Sequence, residues 1–569
     1  MNRRDFLVAR LDSREPDSQV ETAPTPARAP RTRDSSNASL LSVSLAPYAG
    51  AWGPPEAAHL LRRTVFGFTR ADLSRVAGMT LRDAVTMLLT PTQTPAAPVA
   101  VQSGSEVQWV NGGATGNSDT LYMNYLLAWW VDLSLLPTLS ITENMTLFWH
   151  NHFATGSLAV KDARYMYKQN ALLRQSSLGN VKDLIRSVTL DPAMLRYLNG
   201  STNVKGSPNE NYARELQELF TIGKGPERAP GDYTNYTEAD IKQAARILTG
   251  WADDVSTQVV KFTASKHDAG NKTFSAAYGN RVIRGGATES EARRELDELL
   301  DMILAQPATS RYICRKIYRW FVDYMIDDLV ESNIIGPMAD LLVQSKYEIR
   351  PVMEALLLSE HFNSLEMRGS VIKNPASLML GTMRTFPWLD DEYNPTPFAD
   401  TVQFRMFAFR TVRRMLGTMG MDFMNPPNVA GWPAYYQEPT FHEGWINADT
   451  LQKRINFLND VASDGWKLDE AYYPSLIDVI GFVKTLSDPS NANALIDDAT
   501  QLLLPVRLSS AQRDAINDIL LPGLPDYEWT VEWNAFTADE TNSSKRTVIE
   551  TKLRALFKHI LAMAEYQLS

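Results

Sequence analysis

The chain has 569 residues, 44% of them hydrophobic and 21% charged, a composition that excludes a collagen-like, coiled-coil or mainly disordered protein. Its 56 Lys and Arg against 66 Asp and Glu give a net charge of -10, so no overall positive field gathers phosphate backbones and nucleic acid is not an expected partner. The single Cys314 rules out an intrachain disulfide and thiolate-rich metal centres, and no apolar run reaches the roughly 18 residues of a transmembrane segment.

Met1-Asn2-Arg3-Arg4-Asp5-Phe6-Leu7 begins like a twin-arginine export signal, which an apolar stretch should follow. Residues 8–34 instead carry charges and four prolines, so residues 1–44 read as a disordered polar arm. From Ala57 onward the apolar spacing is helical almost throughout. Thr69 with Asp72, Thr80 with Asp83, Ser140 with Glu143 and Thr237 with Asp240 each place an acceptor three residues before a carboxylate, the arrangement that opens a helix. Residues 91–118 read as a long loop, and Thr257 to Thr263 is the one clear strand-like stretch. Alternating βαβ units are absent, so the expected fold is mainly α: one large helical domain over 45–569 with a minor β-hairpin-like insertion. Cys314, between Tyr312 and Tyr318, reads as a buried helix position.

Chemistry-bearing residues concentrate in three places. The helix opened by Ser140 runs through Glu143 to His150-Asn151-His152. Histidines two apart on a helix point about 200° from each other, so at most one faces a given site, and His150 shares a face with Glu143. Asn209 to Gly223 is the densest cluster, a helix closed by glycine in which Asn211, Glu215 and Glu218 form one stripe. Carboxylates on adjacent turns present oxygen ligands to a metal, or set an acid beside a base. Arg214 and Arg246 sit amid small and apolar neighbours, which favours buried Arg–Glu pairing instead. The loop after the strand carries His267, Asp268 and Lys272 within six residues, where a binding or catalytic role competes with a stabilised turn. Nucleotide-binding, serine-hydrolase and zinc-protease motifs are absent.

Ala57-Ala58-His59-Leu60-Leu61-Arg62-Arg63 with Phe66-Gly67, Phe148 to Phe153, Asp191-Pro192-Ala193-Met194, Asn209 to Gly223, Thr249-Gly250-Trp251, His267-Asp268, Pro426-Pro427 to Trp432 and Trp445-Ile446-Asn447 together resemble the bacterial family called domain of unknown function eighteen hundred. The resemblance runs from about Leu45 to the C-terminus. It implies a single mostly helical domain, frequent export through the twin-arginine route and a phosphatase- or sulfatase-like partner protein, and it implies no established activity. The missing apolar core of the signal leaves location open between export and the cytoplasm, and the insertion Ala434 to Glu443 remodels any groove near Trp432 and Trp445.

Two functions follow as expectations. In a metal-assisted hydrolase, His150, His152, Glu215 and Glu218 supply ligands to a divalent metal, and Glu215, Glu218, His267, Asp268 and Arg214 supply acid, base and carboxylate-orienting groups. In a non-catalytic binding or assembly protein the same Arg–Glu–His cluster is structural.

Overall fold

The computed structural model describes residues 43–113, 116–229, 232–389, 402–466 and 475–569. The twin-arginine-like start and most of the expected 1–44 arm lie outside these residues. Ser44 and Ala46 already accept backbone hydrogen bonds from His361 and Glu360, so chain 43–48 is bound to the helical body.

Helix makes up 59% of the described residues, in agreement with the mainly α expectation. Among them strands occur only as four antiparallel two-stranded pairs. Helix α1 (Pro54–Thr64) starts with proline at its first turn and Glu56 beside its N-terminus, both favourable there. A short hairpin, β1 (Val99–Gln102) with β2 (Ser105–Gln108), interrupts the stretch expected to be loop. Its connection Ser103-Gly104 has positive φ at both residues, as a tight two-residue hairpin turn requires. Helices α2 (Asp119–Leu135), α3 (Thr142–His152) and α4 (Ala163–Gln175) follow, then α5 (Glu210–Glu218). The pair β3 (Glu227–Ala229) with β4 (Asp232–Tyr233) leads to α6 (Glu238–Ile247).

The expected strand is β6 (Val259–Phe262), paired with β5 (Trp251–Asp254) so that Trp251 faces Phe262 and Asp254 faces Val259. A last pair, β7 (Lys272–Thr273) with β8 (Val282–Ile283), precedes α7 (Glu289–Leu304) and α8 (Pro307–Phe321). Farther on, α9 (Pro375–Thr385), α10 (Val402–Thr418), α11 (Ala448–Asn459) and α12 (Ser543–Ala562) complete the set used below. One hydrophobic core cluster extends from Ala57 to Tyr566.

Local signals and structure agree at Thr69 and Thr237, which form full capping boxes with Asp72 and Asp240. They diverge at Ser140. Helix α3 begins at Thr142 with Ile141 before it and no side-chain cap, because Glu143 is taken by Arg174, 2.6 Å from Nε and 2.9 Å from Nη2. A charged bidentate pair is stronger than a neutral cap bond. Helix α5 also stops before Gly223. The glycine N–H returns to the Gln217 carbonyl at 2.9 Å, with φ of 74°, closing the turn beyond the helix. Cys314 is fully buried, and burial pushes its thiol above the ordinary range.

Candidate functional site

Helix α3 continues through both histidines, so they point apart as the periodicity requires. His150 is buried and sets its ring edge-on to Trp130 and Trp432, at 5.4 and 5.9 Å between centroids. Burial drives its pKa down to about 3, and its Nε2 has no hydrogen-bond partner among the described residues. His152 donates from Nε2 to the Phe220 carbonyl at 3.0 Å. Burial, then the charge of Lys316, takes its pKa to about 3 as well. Between them Asn151 accepts the Trp432 N–H at 2.8 Å. Three of the motif segments quoted above, Phe148 to Phe153, Asn209 to Gly223 and Pro426 to Trp432, thus meet at one seam. The histidines hold that seam together.

The carboxylates divide differently from the expectation. Arg214, the expected buried partner on α5, makes a bidentate pair with Glu238 on α6, both bonds 2.5 Å, and lies 3.6 Å from Glu210. It keeps about a quarter of its side-chain surface exposed, 27%, so this pair sits at the surface. Glu215 is buried, and its charge helps to raise the pKa of Tyr197 and Tyr312, second to desolvation for Tyr197. Half-buried Glu218 accepts from the Tyr236 hydroxyl at 3.4 Å. Tyr312, which donates to the Leu219 carbonyl at 3.1 Å, lies within the field of both glutamates.

In the third cluster Asp268 pairs with Arg246, 2.7 Å from Nε and 3.1 Å from Nη2, and this partner holds its carboxyl below the usual range. His267 turns away from Asp268. It donates from Nδ1 to the Thr249 carbonyl at 2.8 Å and sets Nε2 3.3 Å from Glu295 Oε1. Glu295 also pairs with Lys272 and accepts the Gly286 N–H at 2.7 Å. The side chains of His267, Lys272 and Glu295 are all 0% exposed, a closed triad within the fold.

Among the described residues no group of three or more His, Cys, Asp and Glu side chains is placed to hold a metal ion. His150, His152, Glu215 and Glu218 are accordingly not assembled as the ligand set expected for a divalent cation. The reason is rotational: α3 divides its two histidines between different packing partners, His150 against Trp130 and Trp432 and His152 against the Phe220 carbonyl. A cleft of about 610 Å³, lined by Met87, Pro91, Leu133, Thr142, Glu143 and Arg384 among others, takes in none of the seven candidate residues. Met419, Met421, Met424, Trp432 and Trp445 are all buried and belong to the packing of the methionine and tryptophan segment.

Sequence reasoning missed two groups. Glu295 is in phase with Ala292, Leu296 and Leu299 on the buried stripe of α7, and a carboxylate in an apolar phase was the available signal. Lys316 and Arg319 lie on α8, bordering the seam. Arg311 and Arg315 of the same helix share Glu331, at 3.1 and 2.7 Å. Lys316 has no hydrogen bond or ion pair among the described residues, and its Nζ lies 5.2 Å from the centroid of the Tyr312 ring. Burial, then the neighbouring Arg319, lowers its pKa to about 8. Arg319 covers the Phe441 ring at 4.9 Å, donates weakly from Nε to the Tyr324 carbonyl at 3.4 Å and forms no ion pair there.

Among the described residues no helix is long and apolar enough to cross a membrane. No curated protein and no solved structure matches the chain. The family model described as Protein of unknown function (DUF1800) matches residues 59–568, nearly the whole helical body and all three segments of the seam, and the chain belongs to that family.

Proposed function

We propose that this member of the family is a binding protein whose Arg–Glu–His clusters are structural, and that Lys316 and Arg319 receive an anionic group of its ligand. The observation that carries this reading is the contrast along α8. Its first two arginines share a carboxylate, whereas Lys316 feels none and Arg319 feels Glu438 and Glu331 only across space, without an ion pair among the described residues. A half-buried ammonium without a counterion is costly, and an incoming carboxylate, sulfate or phosphate supplies the missing charge. The pairing of Arg214 with Glu238 and of Asp268 with Arg246 supports the structural part, since these two groups expected in catalysis already have charge partners within the fold.

The test follows the lysine itself. In protein carrying isotopically labelled dimethyl-lysines, the Lys316 resonance, assigned with Lys316→Arg, titrates near pH 8. Sulfate should shift it saturably and raise its pKa, because a bound anion favours the charged amine. Arg319→Gln should weaken that response about tenfold. A Lys316 signal indifferent to sulfate, or hydrolysis of ester substrates lost in Glu215→Gln with stability retained, would refute the reading.

A further inference from the structure

A second cationic site lies apart from the seam, where α1 meets α9. Arg62 and Lys373 line a small cleft with Ser377, Gly381, Thr385 and Tyr566. Gly67, at φ of 82°, passes so close to α9 that a Cβ there would come within 2.5 Å of the Gly381 carbonyl oxygen. This close approach brings the chain just after α1 against the middle of α9.

Arg62, Lys373, Ser377 and Thr385 carry unused hydrogen-bonding groups along the lining of this cleft. Arg62 donates Nη2 to the carbonyls of Gln501 and Leu502, at 2.8 and 3.0 Å, and its Nε and Nη1 make no bond among the described residues. Lys373 gives one N–H to the Tyr566 carbonyl at 2.8 Å and lies over that ring at 3.9 Å, leaving two N–H groups. The hydroxyls of Ser377 and Thr385, one and three turns along α9, make no hydrogen bond among the described residues. Behind them Arg454 is fully buried, spending Nη1 on Gln567 and Nη2 on the Lys373 carbonyl.

No carboxylate contributes to the field at any of these three cations. Lys373 feels Arg62 and Arg454 as like charges, and with burial they hold it well below the lysine range. The nearby Arg368 is committed to Glu56 at 2.8 Å. Positive groups gathered without a counterion oppose folding unless something compensates them. Carbonyl dipoles do so in part, but they leave the charge itself unbalanced. The cleft holds about 40 Å³, the room of roughly three waters, which suits one tetrahedral ion and excludes a bulky ligand from its depth.

We propose that Arg62, Lys373 and Ser377 form a binding site for a single tetrahedral oxyanion, phosphate or sulfate, either free or as the end of a monoester. The guanidinium and ammonium supply charge and directed N–H donors, and the Ser377 hydroxyl supplies a further donor. This site is independent of Lys316 and Arg319.

The experiment uses the full chain carrying Lys316→Met, so that the seam does not contribute. Calorimetric titration and thermal melts are run with inorganic phosphate, sulfate and glycerol 3-phosphate against sodium chloride of equal ionic strength. Phosphate or sulfate should bind saturably and raise the melting temperature more than chloride. Lys373→Met should abolish that response, and its anion-free melting temperature should rise, since a like charge has been removed from Arg62 and Arg454. Ser377→Ala, which retains the charges and carries the test if the lysine variant does not fold, should weaken binding about threefold to tenfold. Tighter binding of glycerol 3-phosphate assigns the anion to a larger ligand, and tighter binding of the inorganic ions assigns it to the free species. An anion response no greater than that to chloride, or one that survives these substitutions, overturns the proposal.

Discussion

A buried histidine that stays neutral makes stability depend on pH, and this chain has several. His150 and His152 are held near pKa 3 by burial, and His59 well below the usual value by burial and Arg63. The unfolded chain protonates these rings below about pH 6.5, so it binds more protons than the folded chain between there and about pH 3. Their contribution is complete above about pH 6.5 and declines as pH falls through that window, by about tenfold in the unfolding equilibrium per histidine per pH unit. His150→Leu should therefore make the acid limb shallower by about one proton in urea midpoints measured from about pH 7 to about pH 4. Because its Nε2 is unpartnered, the change should cost little at neutral pH.

Burial likewise ranks the ion pairs. Glu295→Gln leaves Lys272 without its charge partner in a site 0% exposed and should destabilise by about 3–5 kcal/mol. Glu238→Gln loosens Arg214 at the surface and should cost about 1 kcal/mol or less. Equal costs in urea unfolding would contradict this ranking. Such differences were only half legible in the sequence. The residue types and the pairing tendency of Arg214 and Arg246 could be read, but their partners Glu238 and Asp268 lie 24 and 22 residues away and are brought near by folding.

At the scale of elements, short-range chemistry predicted well wherever no long-range partner competed. The capping boxes at Thr69 and Thr237 formed because their carboxylates had no stronger claim, and the one at Ser140 failed because Arg174 reached Glu143 first. The hairpin β1–β2 escaped notice since its strands lie in a stretch rich in Pro, Gly, Ser and Thr. Two glycines separate backbone conformation from packing. Gly104, at φ of 79°, has nothing within 4 Å of an added Cβ, whereas Gly431, at φ of 89°, would place one 2.3 Å from Asn151 Oδ1. Gly104→Ala should cost about 1–2 kcal/mol, the left-handed strain alone. Gly431→Ala should cost about 3 kcal/mol or more, since it also breaks the Asn151 contact that closes the seam. Chemical denaturation of the two variants measures the difference.

In a chain whose net charge is -10, Lys316 at the seam and Arg62 and Lys373 at the start of α9 have no carboxylate partner among the described residues. Total charge carried no information about these places, because a field is set by the few charges within a Debye length. The fold also decided what the family motifs do. Phe148 to Phe153, Asn209 to Gly223 and Pro426 to Trp432 are separated by tens to hundreds of residues, and their histidine, carbonyl and glycine contacts turn them into one packed junction.

The sequence by itself determined the helical class, the capping points at Thr69 and Thr237, a strand within Thr257 to Thr263 and the family, because each depends on local periodicity, neighbouring caps or a motif series. Only the tertiary structure decided that His150 and His152 serve packing, that Glu295 and not Asp268 meets His267, and that Lys316, Arg62 and Lys373 lack carboxylates. The physical reason is that burial and charge pairing are properties of the space around a side chain, and that space is filled by residues from distant parts of the chain.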